Sequence, residues 1–256
     1  MEGTVSSFLT TKGYGFARGD DGRDYFLHKS DIDPAVGVVI EGQRIVFEES
    51  ATPQGYRARR VRPVALTAAT RYLVPEQVLE SKASAVRGWE TLETSLWKIH
   101  GTSRESPDSA KVDLLFKARS LGATGVVLVQ YYKTTGSESG TGRGTHHFTI
   151  HHFRGHPVVL ARLSTSGTVN KSDLEGLGKR AAALKAELVA QSEASRTSAT
   201  ITAMVVVGAG LLAGAVMGAG ELGVPAGVVP VAISLILAFI VYQTMATDHD
   251  SWLEAL

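Results

Sequence analysis

Apolar and polar positions alternate with a period of two through the first quarter of the chain. They fall in five short runs near 3–10, 13–18, 23–30, 43–49 and 55–64, each bounded by turn residues, and predict five strands. In the second run Lys12, Tyr14 and Phe16 share one face, while Gly13 and Gly15 leave the other bare. Gly19-Asp20-Asp21-Gly22 then returns the chain, and Phe26 and His28 again share a face. Antiparallel pairing would set these rings beside Tyr14 and Phe16. Val5, Ala17, Tyr25, Leu27, Ile45 and Phe47 supply a core on the opposite face, so the rings are not needed to fill it.

The pattern changes after residue 65. Residues 66–75 read as a linker, and residues 76–168 as a small α+β domain. Within it, Ser106-Pro107-Asp108 is a helix cap, followed by Val112, Leu115, Phe116 and Arg119 at helical spacing and a stop at Gly122. Strands are expected over 124–132, 146–153 and 157–163. A glycine and serine connection at 136–144 and a turn at Arg154-Gly155-His156 separate them, and Trp97-Lys98-Ile99 is a further strand candidate. Over 171–196, Leu174, Leu177, Ala181, Leu184 and Leu188 mark an amphipathic helix. Residues 197–220 and 222–247 carry no charge, and each run exceeds the ~20 residues that a membrane-spanning helix needs. The fold class expected is therefore multidomain: an all-β N-terminal unit, an α+β unit and a C-terminal two-helix transmembrane hairpin.

Charge orients that hairpin. Lys179, Arg180, Lys185 and Arg196 precede the first apolar run and no lysine or arginine follows it, which by the positive-inside rule keeps the N-terminal domains cytoplasmic. No signal peptide is expected from Met1-Glu2-Gly3, and the absence of cysteine suits a reducing compartment. Homo-oligomerisation has two candidate surfaces, the 171–196 helix and the Gly210, Gly214, Gly218 face, whose spacing lets helices approach closely. Docking of the 171–196 helix on the α+β unit is an equal alternative.

With a formal net charge of +1, the protein cannot bind nucleic acid by bulk charge, so any such affinity has to be local. The ring face offers it, because every nucleobase has a flat face on which an aromatic side chain stacks. Arg57, Arg59, Arg60 and Arg62 read equally as a solvated strand edge or as phosphate contacts. The histidines of His146-His147-Phe148-Thr149-Ile150-His151-His152 do not predict a metal site. Alternation splits them between two faces, and strand residues four apart are separated by roughly 13 Å. No nucleophile elbow or phosphate-binding loop frames a catalytic set, so neither an enzyme nor a cofactor is expected.

Taken in order, Gly3-Thr4-Val5, Phe8, Lys12-Gly13-Tyr14-Gly15-Phe16, Asp24-Tyr25-Phe26-Leu27-His28-Lys29-Ser30, Glu41-Gly42-Gln43-Arg44-Ile45-Val46-Phe47 and Ala58-Arg59-Arg60-Val61 resemble a bacterial cold-shock domain. The resemblance covers residues 1–65 and implies a five-stranded OB-type barrel that binds single-stranded RNA or DNA. Its nucleic-acid surface would be Lys12, Tyr14, Phe16, Phe26 and His28, with Phe8 beside them. Ser7 and Lys29 stand where the family usually has a tryptophan and another aromatic, which implies weaker and more salt-dependent binding. The expected protein is a membrane-anchored single-strand binder. The alternative is a membrane sensor or scaffold whose α+β unit takes a ligand or partner.

Overall fold

In a computed structural model the described residues are 1–64, 71–139, 144–219 and 223–256. Residues 1–181 with 254–256 form one unit and residues 182–253 another.

Five strands, β1 (Glu2–Leu9), β2 (Tyr14–Gly19), β3 (Asp24–His28), β4 (Arg44–Thr52) and β5 (Gly55–Pro63), close into a barrel in the order β1-β2-β3-β5-β4. The interior is the face expected from alternation: Val5, Ala17, Tyr25, Leu27, Ile45 and Phe47 are buried, joined by Ile32, Val39, Ala58 and Val61. Closure rests on a parallel pairing, Tyr25 opposite Tyr56 and Phe26 opposite Arg57.

The next domain is a mostly antiparallel sheet with one long helix against it. Its strands are β6 (Arg71–Leu73), β7 (Leu79–Glu80), β8 (Glu90–Thr94), β9 (Trp97–Ser103), β10 (Gly125–Ser139), β11 (Thr145–Ser164) and, beside β9, β12 (Leu253–Ala255), with α1 (Pro107–Ser120) between β9 and β10. Four details depart from the sequence pattern. Arg71–Leu73, expected within the linker, pairs with the end of β11, while residues 65–70 lie outside the described residues. No turn interrupts β11 at Arg154-Gly155-His156. Gly155 lies opposite Ile99 and close to Val126 and Val127, where a bare backbone lets neighbours pack, so the glycine serves close approach instead of reversal. Residues 136–139 extend β10 instead of forming a loop, and residues 140–143 lie outside the described residues. Finally, α1 buries Ala110, Leu114 and Ala118 and leaves Val112 and Phe116 exposed. A Cβ on Gly101 of β9 would meet the backbone N of Leu114 at 2.5 Å, so the helix seats its small-residue face on that glycine.

The barrel is fastened to this sheet through a buried carboxylate. Glu90, 3% exposed, accepts from Thr10 Oγ1 at 2.9 Å and from the Thr11 backbone N–H at 3.0 Å. A second tie joins Glu41 to Arg162 at 3.3 Å, with the Arg162 guanidinium lying 4.5 Å from the Trp89 ring centroid.

After the short helix α2 (Lys171–Leu174), α3 (Leu177–Ala219) runs unbroken for 43 residues, so the amphipathic stretch expected to end at 196 continues into the first apolar run. Its partner α4 (Gly223–Met245) has 23 residues. Both are long and apolar enough to cross a membrane, and Leu212, Val216, Ile236 and Phe239 are exposed on them. Gly210 faces α4 of the same chain. A Cβ there would run into the Ser234 side chain and come within 3.1 Å of the Pro230 carbonyl oxygen. That glycine therefore serves packing inside the hairpin; Gly218 lies near the end of α3, and the turn at Glu221 falls outside the described residues. Beyond α4 the tail is held to α3, with Asp250 accepting from Lys185 Nζ at 2.7 Å and from Ser192 Oγ at 2.9 Å.

Removing the Glu90 carboxylate leaves a buried hydroxyl and N–H without their acceptor. Glu90→Ala is expected to lower stability by about 1–3 kcal/mol, read as an earlier denaturant midpoint at unchanged slope.

Candidate nucleic-acid interface

The ring face begins with what β2 places on its inner side. Gly15, Ala17 and Gly19 point inward, and Gly15 lies opposite Phe8 where β1 crosses so closely that a Cβ would stand 2.7 Å from the Phe8 Cα and collide with the Ser7 carbonyl. With only small residues accommodated inside, Tyr14 and Phe16 face out and are 37% and 46% exposed. Gly13 has φ of +69°, a conformation that suits glycine, and closes the tight turn ahead of β2. Lys12 is exposed in that turn, its N–H bonded to the Leu9 carbonyl at 3.1 Å. It thus stands at the end of the ring row, one step outside the strand register.

Phe26 is the hub of the rings. Its centroid lies 6.3 Å from Tyr14 at an interplanar angle of 26°, 5.9 Å from Phe16 at 73°, and 6.3 Å from His28 at 24°. The pairings of β2 with β3, Tyr14 opposite His28 and Phe16 opposite Phe26, put all four on one face. His28 is oriented by its neighbour, Nδ1 accepting the Ser30 N–H at 3.2 Å.

Phe8 does not belong to this surface. It is 3% exposed and lies in the barrel core. A bulge between Val5 and Ser7 shifts the alternation of β1 by one residue and turns Phe8 inward, opposite Gly15, where the missing side chain leaves room for it. Ser7 lies opposite Phe16, so the serine shortens the row there. Lys29 is exposed with its Cβ against Gly13, which places a second cation near Lys12.

Two residues outside the expected set join the rings. Arg57 lies on β5 with its guanidinium 5.8 Å from the Phe26 centroid, and Tyr56 is 40% exposed. Phe16, Phe26, Tyr56, Arg57 and the Thr52-Pro53-Gln54 turn line a cleft of about 490 Å³. Arg57 is held there by Asp31, whose buried carboxylate accepts from Nε at 2.8 Å and pairs with Nη2 at 2.7 Å, while Arg59 reaches the same carboxylate at 3.3 Å. Arg60 and Arg62 pair instead with Glu48 and Asp33. The arginine strand is thus divided, and only Arg57 reaches the rings. Tyr56 and Arg57 sit beside Phe26 through the parallel β3–β5 pairing, which leaves no local signature in sequence.

The histidines of β11 are distributed as alternation requires: His151 meets Tyr131, and His152 meets Tyr132 and Thr134, on opposite faces. Among the described residues no three histidine or carboxylate side chains converge in a way that could hold a metal ion.

Residues 1–64 match the family described as the 'Cold-shock' DNA-binding domain. Cold shock protein 1 of Lactiplantibacillus plantarum is 42% identical over 62 residues, which are 24% of this chain and 94% of that protein. A cold shock-like protein of Thermotoga maritima is 38% identical over 65 residues, 25% of this chain and 98% of its own length. Cold shock-like protein CspA of Stigmatella aurantiaca is 39% identical over 64 residues, 24% of this chain and 94% of that protein.

Asp31→Ala tests how the cleft is held. Losing hydrogen bonds to two guanidinium groups should cost about 1.5–3 kcal/mol in a thermal or denaturant melt, and a folded variant should bind oligonucleotides more weakly because Arg57 is no longer fixed beside Phe26.

Proposed function

Because the chain belongs, through residues 1–64, to the cold-shock domain family, we propose that it is a membrane-anchored protein that captures single-stranded RNA or DNA at the cytoplasmic face. The observation that carries the binding half is the outward-facing row of exposed Tyr14 and Phe16 and half-buried Phe26 and His28, with Arg57 fixed alongside and Lys12 at its end. Stacking on such rings is worth roughly 1–3 kcal/mol per base and tolerates any sequence, since all bases present a flat face. Residues 1–64 hold as many acidic as basic side chains, so the rings and a few placed cations, not net charge, supply the affinity.

The membrane half rests on the hairpin. Apolar side chains such as Leu212 at 72% and Val216 at 74% exposure have no water-compatible role on a solvated helix, and hydrocarbon is the medium in which they cost nothing. At about 1.5 Å per residue, α3 is roughly 64 Å long, about twice the hydrocarbon thickness. Its N-terminal half, which carries Lys179, Arg180, Lys185 and Arg196, stands outside the membrane on this reading, and those cations favour the cytoplasmic side. The domain boundaries that go with it are a binding barrel over 1–65, an α+β domain expected over 76–168 and begun by β6 at Arg71, and two spans over 197–220 and 222–247. The reading involves capture and no chemical step.

Phe16→Ala, shown folded by circular dichroism, should weaken single-strand binding about ten- to hundredfold and leave its salt dependence nearly unchanged. Lys12→Ala should lower the salt slope by about one counterion with a smaller loss at low salt. Wild-type affinity in folded Phe16→Ala would remove the ring face as the platform and return the lead to a sensor or scaffold.

Deletion of residues 197–256 should move the protein from the membrane to the soluble fraction. A full chain that remains soluble without detergent is the contrary result.

A further inference from the structure

The hairpin of β10 and β11 outgrows the sheet that supports it. β9 leaves β11 at His151, and the outer part, residues 134–139 against 145–150, pairs with no third strand among the described residues. Such an arm normally carries polar side chains on both faces, since it has no core to cover. This one carries rings. On the face away from α1, His146 and Phe148 stack on the arm itself at 6.3 Å and 23°, and at its base, where β9 still pairs with β11, Tyr132 and His152 stack at 4.7 Å with an interplanar angle of 5°. A guanidinium accompanies each pair: Arg154 lies 5.6 Å from the Tyr132 centroid and Arg104 lies 4.0 Å from that of Phe148.

Two further features favour flat, anionic ligands. Gly136 stands opposite Phe148, and a Cβ there would run into the ring, so the bare position is what lets the ring lie across the neighbouring strand. Burial, with His100 and His151 nearby, holds His152 below the usual histidine range, so at neutral pH it stands beside Tyr132 as an uncharged ring. Between residues 130 and 154 the only acidic side chain is Glu138, against Lys133, Arg143 and Arg154, and Glu138 is paired with Arg104 at 3.3 Å. The barrel platform has the same ingredients: a ring stacked on a histidine, Phe26 on His28, with an arginine beside it.

We infer that this arm is a second stacking surface for single-stranded nucleic acid, taking bases on Tyr132 and Phe148 and phosphates on Arg154, so that one strand engages both barrel and arm. The inference rests on the reading that the barrel captures single strands. Two linked contacts raise affinity only for a strand long enough to reach both. Strand length therefore separates them, because an OB-type barrel occupies about 4–16 nucleotides.

The test compares a labelled oligonucleotide of about 6 nucleotides with one of about 30, using the full chain in detergent. Tyr132→Leu combined with Phe148→Leu keeps apolar bulk and removes the flat faces. It should bind the short strand as wild type does and the long strand about tenfold more weakly, while Phe16→Ala should weaken both. Wild-type affinity of the leucine variant for the long strand overturns the inference; if an oligomer seen by size exclusion is lost at the same time, the arm is a contact between copies. Should the leucine variant melt early, Arg154→Gln decides. It should reduce the salt slope for the long strand by about one counterion, and an unchanged slope overturns the inference. If the wild type binds neither length, the barrel reading fails first. If Phe16→Ala changes nothing while the arm variant loses the long strand, the barrel reading fails and the arm stands.

Discussion

The tight crossing of β1 and β2 is the constraint from which the rest of the barrel surface follows. Gly15 has the Ser7 carbonyl and the Phe8 backbone so close to its Cα that no side chain fits. The inward positions of β2 are therefore limited to Gly15, Ala17 and Gly19, and the large side chains of that strand can only stand outside. Two aromatic rings at 37% and 46% exposure forgo much of the stabilisation that burial would give them. The bulge in β1 offsets part of this by turning Phe8 into the room left opposite Gly15. Core and binding face are thus complementary results of one crossing.

Fixing the cations follows a similar logic of paired groups. Four arginines on β5 could spread over both faces as flexible charges. Instead Asp31, itself buried, takes hydrogen bonds from Arg57 and Arg59, while Glu48 and Asp33 draw off Arg60 and Arg62. Only Arg57 is held against the rings. A guanidinium already held in place loses little further freedom when a phosphate or base arrives, which is where affinity is commonly lost. Glu90 plays the corresponding part for the loop before Lys12, and because it belongs to β8 it makes the α+β domain part of the mount for the binding face.

Elements outside the barrel are governed by close approach at glycine. Gly101 lets α1 lie flat on β9, Gly155 lets β11 pass Val126 without turning, and Gly210 lets α3 meet α4. At Gly155 a local pattern reads a turn and at Gly210 a packing face, and at both a neighbouring element comes close enough to use the bare position. This is also why α1 leaves Val112 and Phe116 in solvent: its contact is chosen by the glycine beneath it and not by its largest side chains.

The sequence by itself determined everything that depends on covalent alternation and on length. Strand geometry sends Tyr14 and Phe16 to one face whatever surrounds them, the inward set Val5, Ala17, Tyr25, Leu27, Ile45 and Phe47 follows from the same period, and the two uncharged runs suffice to identify the helical hairpin. Tertiary structure decided what depends on a partner distant in the chain. Phe8 is buried because a bulge, stabilised by the strand it pairs with, shifts its face by one residue. Tyr56 and Arg57 reach the rings because barrel closure pairs β5 with β3 across thirty residues of chain. The one continuous β11, with β6 recruited from the expected linker, exists because other strands supply hydrogen bonds where the local pattern offers only a turn. Alternation is a property of each residue's own backbone, whereas bulges, parallel pairings and glycine contacts are settled by which backbone arrives on the other side.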